Sequence, residues 1–349
     1  MPDLRLRRLS PDEPANWPSS LTLPATFTVL DTWSAAIQHC YKYKIYRFET
    51  EIEGLVTGIL ALTHVQHPIF GNYLTTAPFG SYGGFAFTTI ESRDLLLSEA
   101  RLLAAELGVE YTNIRWTGQS DVETPPSGWI QHPVYATYRL DLSPDAAALM
   151  PTFSSDHRNH IRKSQKKGFI LKFGHLELLN DAYDTLARSM HELGSPYHSK
   201  DYLRQLAESL GDMLEFAVLY TPDGKLAGSA VYILQEKIAT NLHANILREY
   251  RSEYAGEYLY WKTIERYCQK GYITFDLGRS LLGSGNEVFK LKWQPHKEML
   301  SYWYALKPGA PLPDLNQKNP KFTLAIKTWK LLPAFIVRPI GPFLIRGLA

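Results

Sequence analysis

The feature that most restricts the fold is a pattern that occurs twice. Residues 91–108 carry Leu95, Leu96, Leu102, Leu103 and Leu107 at helical spacing and close on Gly108, and a short β-prone run, 111–116, follows. Residues 257–271 repeat the arrangement, closing on Gly271 before the run 273–277. Apolar residues at such spacing line one helical face, the glycine accepts the left-handed turn that ends a helix, and a short apolar run between turns reads as a buried strand. Strand candidates precede each unit: 43–49 and 54–63 before the first, and an antiparallel meander of 214–219, 228–234 and 237–244 before the second. Strand–helix–strand order means an α/β fold, mixed sheets flanked by helices. The chain has 349 residues, 45% of them apolar, and single cores rarely grow past roughly 250–300 residues. Two similar α/β domains with a cleft between them are therefore expected, over 1–145 and 146–310, with an apolar tail over 311–349.

Further strands are predicted over 4–9, 72–74, 137–142, 169–174 and 303–305. Further helices are predicted over 32–40, 146–153, 176–193 and from Ser199 to about 210. Pro11, Pro14 and Pro18 predict irregular chain. The loop at 78–84 contains Gly80, Gly83 and Gly84, whose N–H groups are candidates to approach an anion, with a plain turn before a helix as the other reading. The net charge of +2 is bland, so an electrostatic argument must be local. Cys40 and Cys268 are far apart and suggest neither a disulfide framework nor a metal site, and Cys268 falls on a core-facing helix position. No apolar run reaches transmembrane length, and the first twenty residues lack a signal-peptide core, so neither a spanning helix nor a cleaved leader is expected. The tail is apolar, broken by Pro333, Pro339 and Pro342, and dotted with cations. It is expected to pack on the domains or to meet a membrane surface peripherally.

Two places concentrate polar chemistry. Residues 156–168 read DHRNHIRKSQKKG, where Arg158, Arg162 and Lys166 share one helical face and Lys163 and Lys167 lie beside it, with Asp156 the one carboxylate nearby in sequence. Such a surface suits phosphate on a cofactor, a nucleic acid or a lipid-linked precursor, or else is a solvated helix. Asn159 and His160 are secondary candidates there. The second place is the end of the strand at 273–276, since ligands gather at carboxyl ends of strands in open α/β sheets. Asp276 is placed to orient an amine or accept its proton, and Arg279 to bind a phosphate or carboxylate. Lys290 and Lys292 are two apart in FKLKW (289–293); if that segment is extended, both project the same way and either is placed to stabilise an oxyanion. Tyr254 and His243 are further candidates. No Walker loop, dinucleotide fingerprint, HExxH or nucleophile elbow occurs, and no metal is expected. These absences favour acyl transfer to an amine, which requires two substrates held together, an oxyanion stabilised and one proton removed.

HRNHIRKSQKKG (157–168), YWKTIERYCQKGY (260–272), FDLGRS (275–280) and FKLKW (289–293) together resemble the Fem-type family within the wider N-acetyltransferase superfamily, close to members associated with exopolysaccharide or protein-sorting systems. The resemblance covers the second half by motif and the first by architecture. It implies two acetyltransferase-like (GNAT-type) domains in tandem. It also implies acyl or aminoacyl transfer to an amine of a cell-envelope or polysaccharide precursor such as a peptidoglycan intermediate, at the inner, cytoplasmic face of the membrane. Lys290 matches the lysine of the family's phenylalanine–lysine pair, whose role there is stabilisation of the reacting centre. The long coiled-coil insertion of some tRNA-using members is absent. The acyl-CoA loop is degenerate at Arg251-Ser252-Glu253-Tyr254-Ala255-Gly256, so no resident cofactor is implied, and aminoacyl-tRNA, an acyl-CoA and a carrier-bound acyl group all stand as donors. The alternatives are an acetyl-CoA-dependent N-acetyltransferase and a non-catalytic module that binds RNA or an anionic glycan.

Overall fold

The computed structural model describes residues 3–117, 124–313 and 320–349. The first part of the chain runs β1 (Leu4–Arg8), α1 (Ser19–Ala25), α2 (Asp31–Tyr41), β2 (Lys44–Ile52), β3 (Leu55–His67), β4 (Gly71–Thr75), β5 (Phe85–Phe87), α3 (Ile90–Leu107), β6 (Tyr111–Thr117) and β7 (Ile130–Gln131). Then come β8 (Tyr135–Asp141), α4 (Ser155–Gln165), β9 (Ile170–Gly174), α5 (Leu179–Leu193), α6 (Lys200–Leu210), β10 (Leu214–Tyr220), β11 (Leu226–Gln235) and β12 (Ile238–Ile246). The remainder is α7 (Ala255–Gln269), β13 (Thr274–Asp276), β14 (Ser280–Leu281), α8 (Gly285–Leu291), β15 (His296–Leu306), α9 (Pro320–Leu331) and α10 (Ala334–Ile345). The chain divides into two compact units, one of residues 1–136, 299–315 and 346–349, the other of 137–298 and 316–345.

In the first unit the strand order is β1–β2–β3–β4–β6 followed by residues 299–306 of β15. Every neighbouring pair is antiparallel except β4 and β6, which are parallel and joined through α3. Strand periodicity sorts the core: Leu60 and Leu62 of β3 pack with Leu96, Leu97 and Leu103 of α3, while Ile59 and Ala61 pack with Leu21 and Ala25 of α1 on the other face. Gly108, at φ +63°, ends α3 as its position predicts. The loop at 78–84 is a packing turn instead of an anion cradle. The N–H groups of Gly80, Gly83 and Gly84 are bonded to the carbonyls of Ala77, Arg115 and Ala25, and a Cβ at Gly83 would lie 2.3 Å from the Ala25 oxygen. Helix α1 follows directly on the proline-rich stretch, where irregular chain is predicted, because its Leu21 and Ala25 find a buried face to cover.

The second unit has the same order and polarity: β9–β10–β11–β12–β13, followed by residues 137–141 of β8. Its parallel pair is β12 and β13, joined through α7. Ser229 donates to the Ala182 carbonyl of α5 at 3.1 Å, and the Tyr232 hydroxyl lies 2.9 Å from Thr263 of α7, so the two helices cover opposite faces of the sheet. Cys268 is buried in α7. A bulge at Leu242 interrupts β12, since Val231 pairs with His243 and Tyr232 with Asn241. The last position of each sheet is thus filled from a distant part of the sequence. Among the described residues, no helix is long and apolar enough to cross a membrane.

Candidate functional site

The strand β13 is three residues long and delivers Asp276, 1% exposed, to the point where the chain turns. One oxygen of Asp276 accepts hydrogen bonds from the Thr137 hydroxyl at 2.7 Å and from the Gly278 N–H at 2.8 Å. Its other oxygen is 3.9 Å from Arg139, whose guanidinium pairs with Glu298 at 2.9 Å. Lys290 comes from α8 and donates to the Gly278 carbonyl at 2.7 Å and the Arg279 carbonyl at 2.9 Å. Residue 278 is therefore gripped twice, at its N–H by the aspartate and at its carbonyl by the lysine. Its φ of +78° is a conformation that glycine adopts without strain.

Burial pushes the Lys290 amine down to about 7, with Asp276 opposing the shift and Arg279 adding to it. An ammonium has three N–H donors. The two carbonyls occupy two of them, which leaves one N–H in the charged form or the lone pair in the neutral form. The Tyr138 ring lies 5.7 Å from the amine. The Tyr138 hydroxyl donates to Glu287 at 2.7 Å, and Lys297 reaches the same carboxylate at 2.8 Å. Lys297, Tyr138 and the Gly283 N–H hold the Glu287 carboxyl down at about 2.

The segment around FKLKW is helical, which corrects the extended reading. Ser284 caps α8 by accepting from the Glu287 N–H, and Glu287 reaches back to the Gly283 N–H. Serine followed three residues later by glutamate is a capping signature, and it was legible in Ser284-Gly285-Asn286-Glu287. Being helical, the segment does not project its two lysines the same way. Lys290 turns inward, while Lys292, more exposed, lies 3.6 Å from Glu257 in the first turn of α7. Of the aromatic pair, Trp293 is fully buried and Phe289 partly so, while Leu291 is exposed. Thr137, Tyr138, Arg139, Glu287 and Lys297 were not singled out from sequence. The first three lie far from residue 276 along the chain and only β8 pairing with β13 brings them to it, whereas Glu287 and Lys297 follow it closely, in α8 and β15.

A second locus lies where α4 meets the start of α7. Tyr254 has φ +61° directly before α7, a left-handed conformation uncommon for a side-chain-bearing residue, and no side chain caps that helix end. The Tyr254 ring stacks on His160 at 4.5 Å, with the Lys163 amine 5.8 Å from its centre. Arg162 and Asn159 are exposed on α4. Arg158 bends back to the Phe153 carbonyl at 2.5 Å, and Lys167 meets Glu253 at 3.4 Å. The basic face is thus narrower than its sequence spacing predicts, and a second carboxylate reaches it through tertiary packing. His243 is placed apart, beside Tyr197 and His198 at ring distances of 5.6 and 5.7 Å. Arg279 is half-buried in the turn that Lys290 grips. A cavity of about 300 Å³ between α5 and α10 is lined by Asp184, Arg188, His191 and Val337 among others, and by none of the residues nominated from sequence.

A family model described as an acetyltransferase (GNAT) domain matches residues 154–291. No curated protein matches the chain. Among solved structures, FemX aligns with a TM-score of 0.62 at 13% identity, over 86% of this chain and 94% of that one. A tandem GNAT protein from the clavulanic acid biosynthesis pathway aligns with a TM-score of 0.57 at 14% identity, over 89% and 100%. L-PGS from Bacillus licheniformis aligns with a TM-score of 0.50 at 14% identity, over 79% and 87%. At these identities the likeness is one of fold. The chain is an α/β protein with two acetyltransferase-like, GNAT-type domains in tandem.

Proposed function

We propose that this chain transfers an acyl or aminoacyl group from an activated donor to an amine of a cell-envelope or polysaccharide precursor. The observation that carries the reading is the double grip on Gly278 by Asp276 and Lys290 at the end of β13, within the segment that matches the GNAT family model. Acyl transfer to an amine forms a C–N bond, breaks the bond to the leaving group and releases one proton. It draws on fixed dipoles that meet the charge developing on the carbonyl oxygen. In this reading Lys290, only 7% exposed, is a positioning residue that sets the 278–279 peptide groups. Asp276 fixes the same turn from the other side, and Arg279 and Lys292 meet the anionic part of the acceptor.

The donor's phosphates are assigned to the uncapped start of α7, next to Tyr254 and Lys163, with Arg162 and Asn159 along the approach. Aminoacyl-tRNA and acyl-CoA both carry phosphates, so both remain donors of the proposed reaction. Tyr254 holds a left-handed conformation of the kind glycines favour where the acyl-CoA loop is degenerate, which supports acetyl-CoA-dependent N-acetylation as the second reading.

Mass spectrometry of products separates these readings. The protein is incubated with aminoacyl-tRNA or acetyl-CoA and a lipid-linked, amine-bearing envelope precursor. An amide product from aminoacyl-tRNA supports the first reading, and one from acetyl-CoA supports the second. No amide product from either donor, alongside salt-steep RNA binding, overturns both in favour of the polyanion-binding module.

A further inference from the structure

We propose that His157, His160 and Glu257 form a binding site for a first-row divalent cation such as Zn2+. The three residues each offer a ligand atom, and these atoms lie within 4.8 Å of one another. His157 and His160 sit one turn apart on α4, and Glu257 sits in the first turn of α7. None of the three is assigned a role in the transferase reading, although His160 stacks on Tyr254 and Glu257 pairs with Lys292, both of which are.

The second observation is an unpaid desolvation. His157 is 1% exposed, yet neither of its ring nitrogens has a hydrogen-bond partner. Its ring stands edge-on to Trp293 at 4.4 Å and to Phe153 at 5.6 Å, contacts that leave both nitrogens unanswered. Buried polar atoms are paired in most native proteins, so such an orphan calls for an unseen partner. His160 has the complementary arrangement. Its Nε2 is 3.4 Å from Asp156, and its buried Nδ1 has no partner. One nitrogen beside a carboxylate and the other free is how a metal-ligating histidine is commonly oriented.

Two imidazoles and a carboxylate suit Zn2+ or a neighbouring first-row ion, at bonds of about 2.0–2.2 Å with a further position open. The donors must draw in by about an ångström, a movement within reach of side-chain torsions. Lys292 is the competitor, 3.6 Å from Glu257, but its side chain is 37% exposed and can swing into water. The ion would then neutralise the buried carboxylate and clip α4 to the start of α7.

The test is titration of tag-free protein with Co2+, whose ligand-field absorption reports the site directly. One equivalent should give an intense visible band that Zn2+ abolishes. His160→Ala and Glu257→Gln should each weaken Co2+ binding at least tenfold, Asp156→Asn should weaken it less, and Lys292→Met should tighten it. Circular dichroism establishes that each variant is folded. Absence of the band in the folded wild-type protein, or its persistence in both ligand variants, would overturn the site.

Discussion

Lys290 is the buried amine that grips Gly278, and the role proposed for it can be tested in two ways. Lys290→Met should lower turnover by about 100-fold, the magnitude attached to one preorganised electrostatic contact, with Lys290→Arg restoring part of it and the fold retained. The second readout is stability against pH. The folded state releases this proton near 7, while the unfolded chain holds it to about 10.4. Between those values the unfolded state binds more protons at this position, so its contribution to stability rises with pH and is lost as pH falls towards 7. Urea unfolding at pH 7 and pH 9 should show this rise in the wild-type protein and a smaller one in Lys290→Met. Equal slopes would contradict the buried amine. The candidacy of positions 276 and 290 was legible in sequence, from a strand end and from the FKLKW segment. Their meeting at Gly278 was not, since it depends on α8 folding back over the turn.

At the scale of the element, α7 is tied to the sheet of the second unit through one buried carboxylate. Glu215 on β10 receives Arg266 at 3.0 and 3.2 Å, Lys270 at 2.9 Å and the Tyr267 hydroxyl at 3.1 Å. Burial raises the Glu215 pKa, but Arg266 and Lys270 outweigh it and hold the carboxyl below its usual range. Its stabilising contribution is present above the ordinary glutamate pKa and is lost as pH falls through the lowered one. Glu215→Ala should destabilise the protein by about 2 kcal/mol at pH 7, with the difference shrinking in acid, as measured by denaturant midpoints. Helices α3 and α7 were readable in the sequence because periodicity and a glycine stop act locally. The helical state of 285–291 was missed although its Ser–Glu cap is also local, because the alternating Lys290, Leu291 and Lys292 imitate a strand over so short a span.

At the scale of the whole molecule, residues 320–349 contain five Lys or Arg and no Asp or Glu. Trp329 donates to the Ser195 carbonyl at 3.2 Å, and Arg338 pairs with Asp184 at 3.0 Å, so one side of the tail packs on the second unit. The other side leaves Leu331 84% exposed, Phe335 76% and Leu324 75%, with Lys327 and Lys330 also exposed. Apolar side chains interleaved with exposed cations suit the surface of an anionic membrane. The protein should therefore sediment with vesicles containing phosphatidylglycerol and much less with phosphatidylcholine alone. High salt and the double variant Leu331→Ser, Phe335→Ser should each reduce that binding several-fold. Equal sedimentation with both lipids would argue against it.

The chain by itself determined its local structure: helices from 3.6-residue periodicity, their ends from glycine, strands from short apolar runs, and hence two α/β units of one design. Tertiary structure alone decided which strands complete each sheet. The parallel pairs β4–β6 and β12–β13 each end in a position filled from far away in sequence, by residues 299–306 and 137–141. Strand pairing is a contact between distant segments, and nothing in the composition of a strand names its partner. For the same reason Thr137, Tyr138 and Arg139 belong beside Asp276, although no local pattern joins them to it.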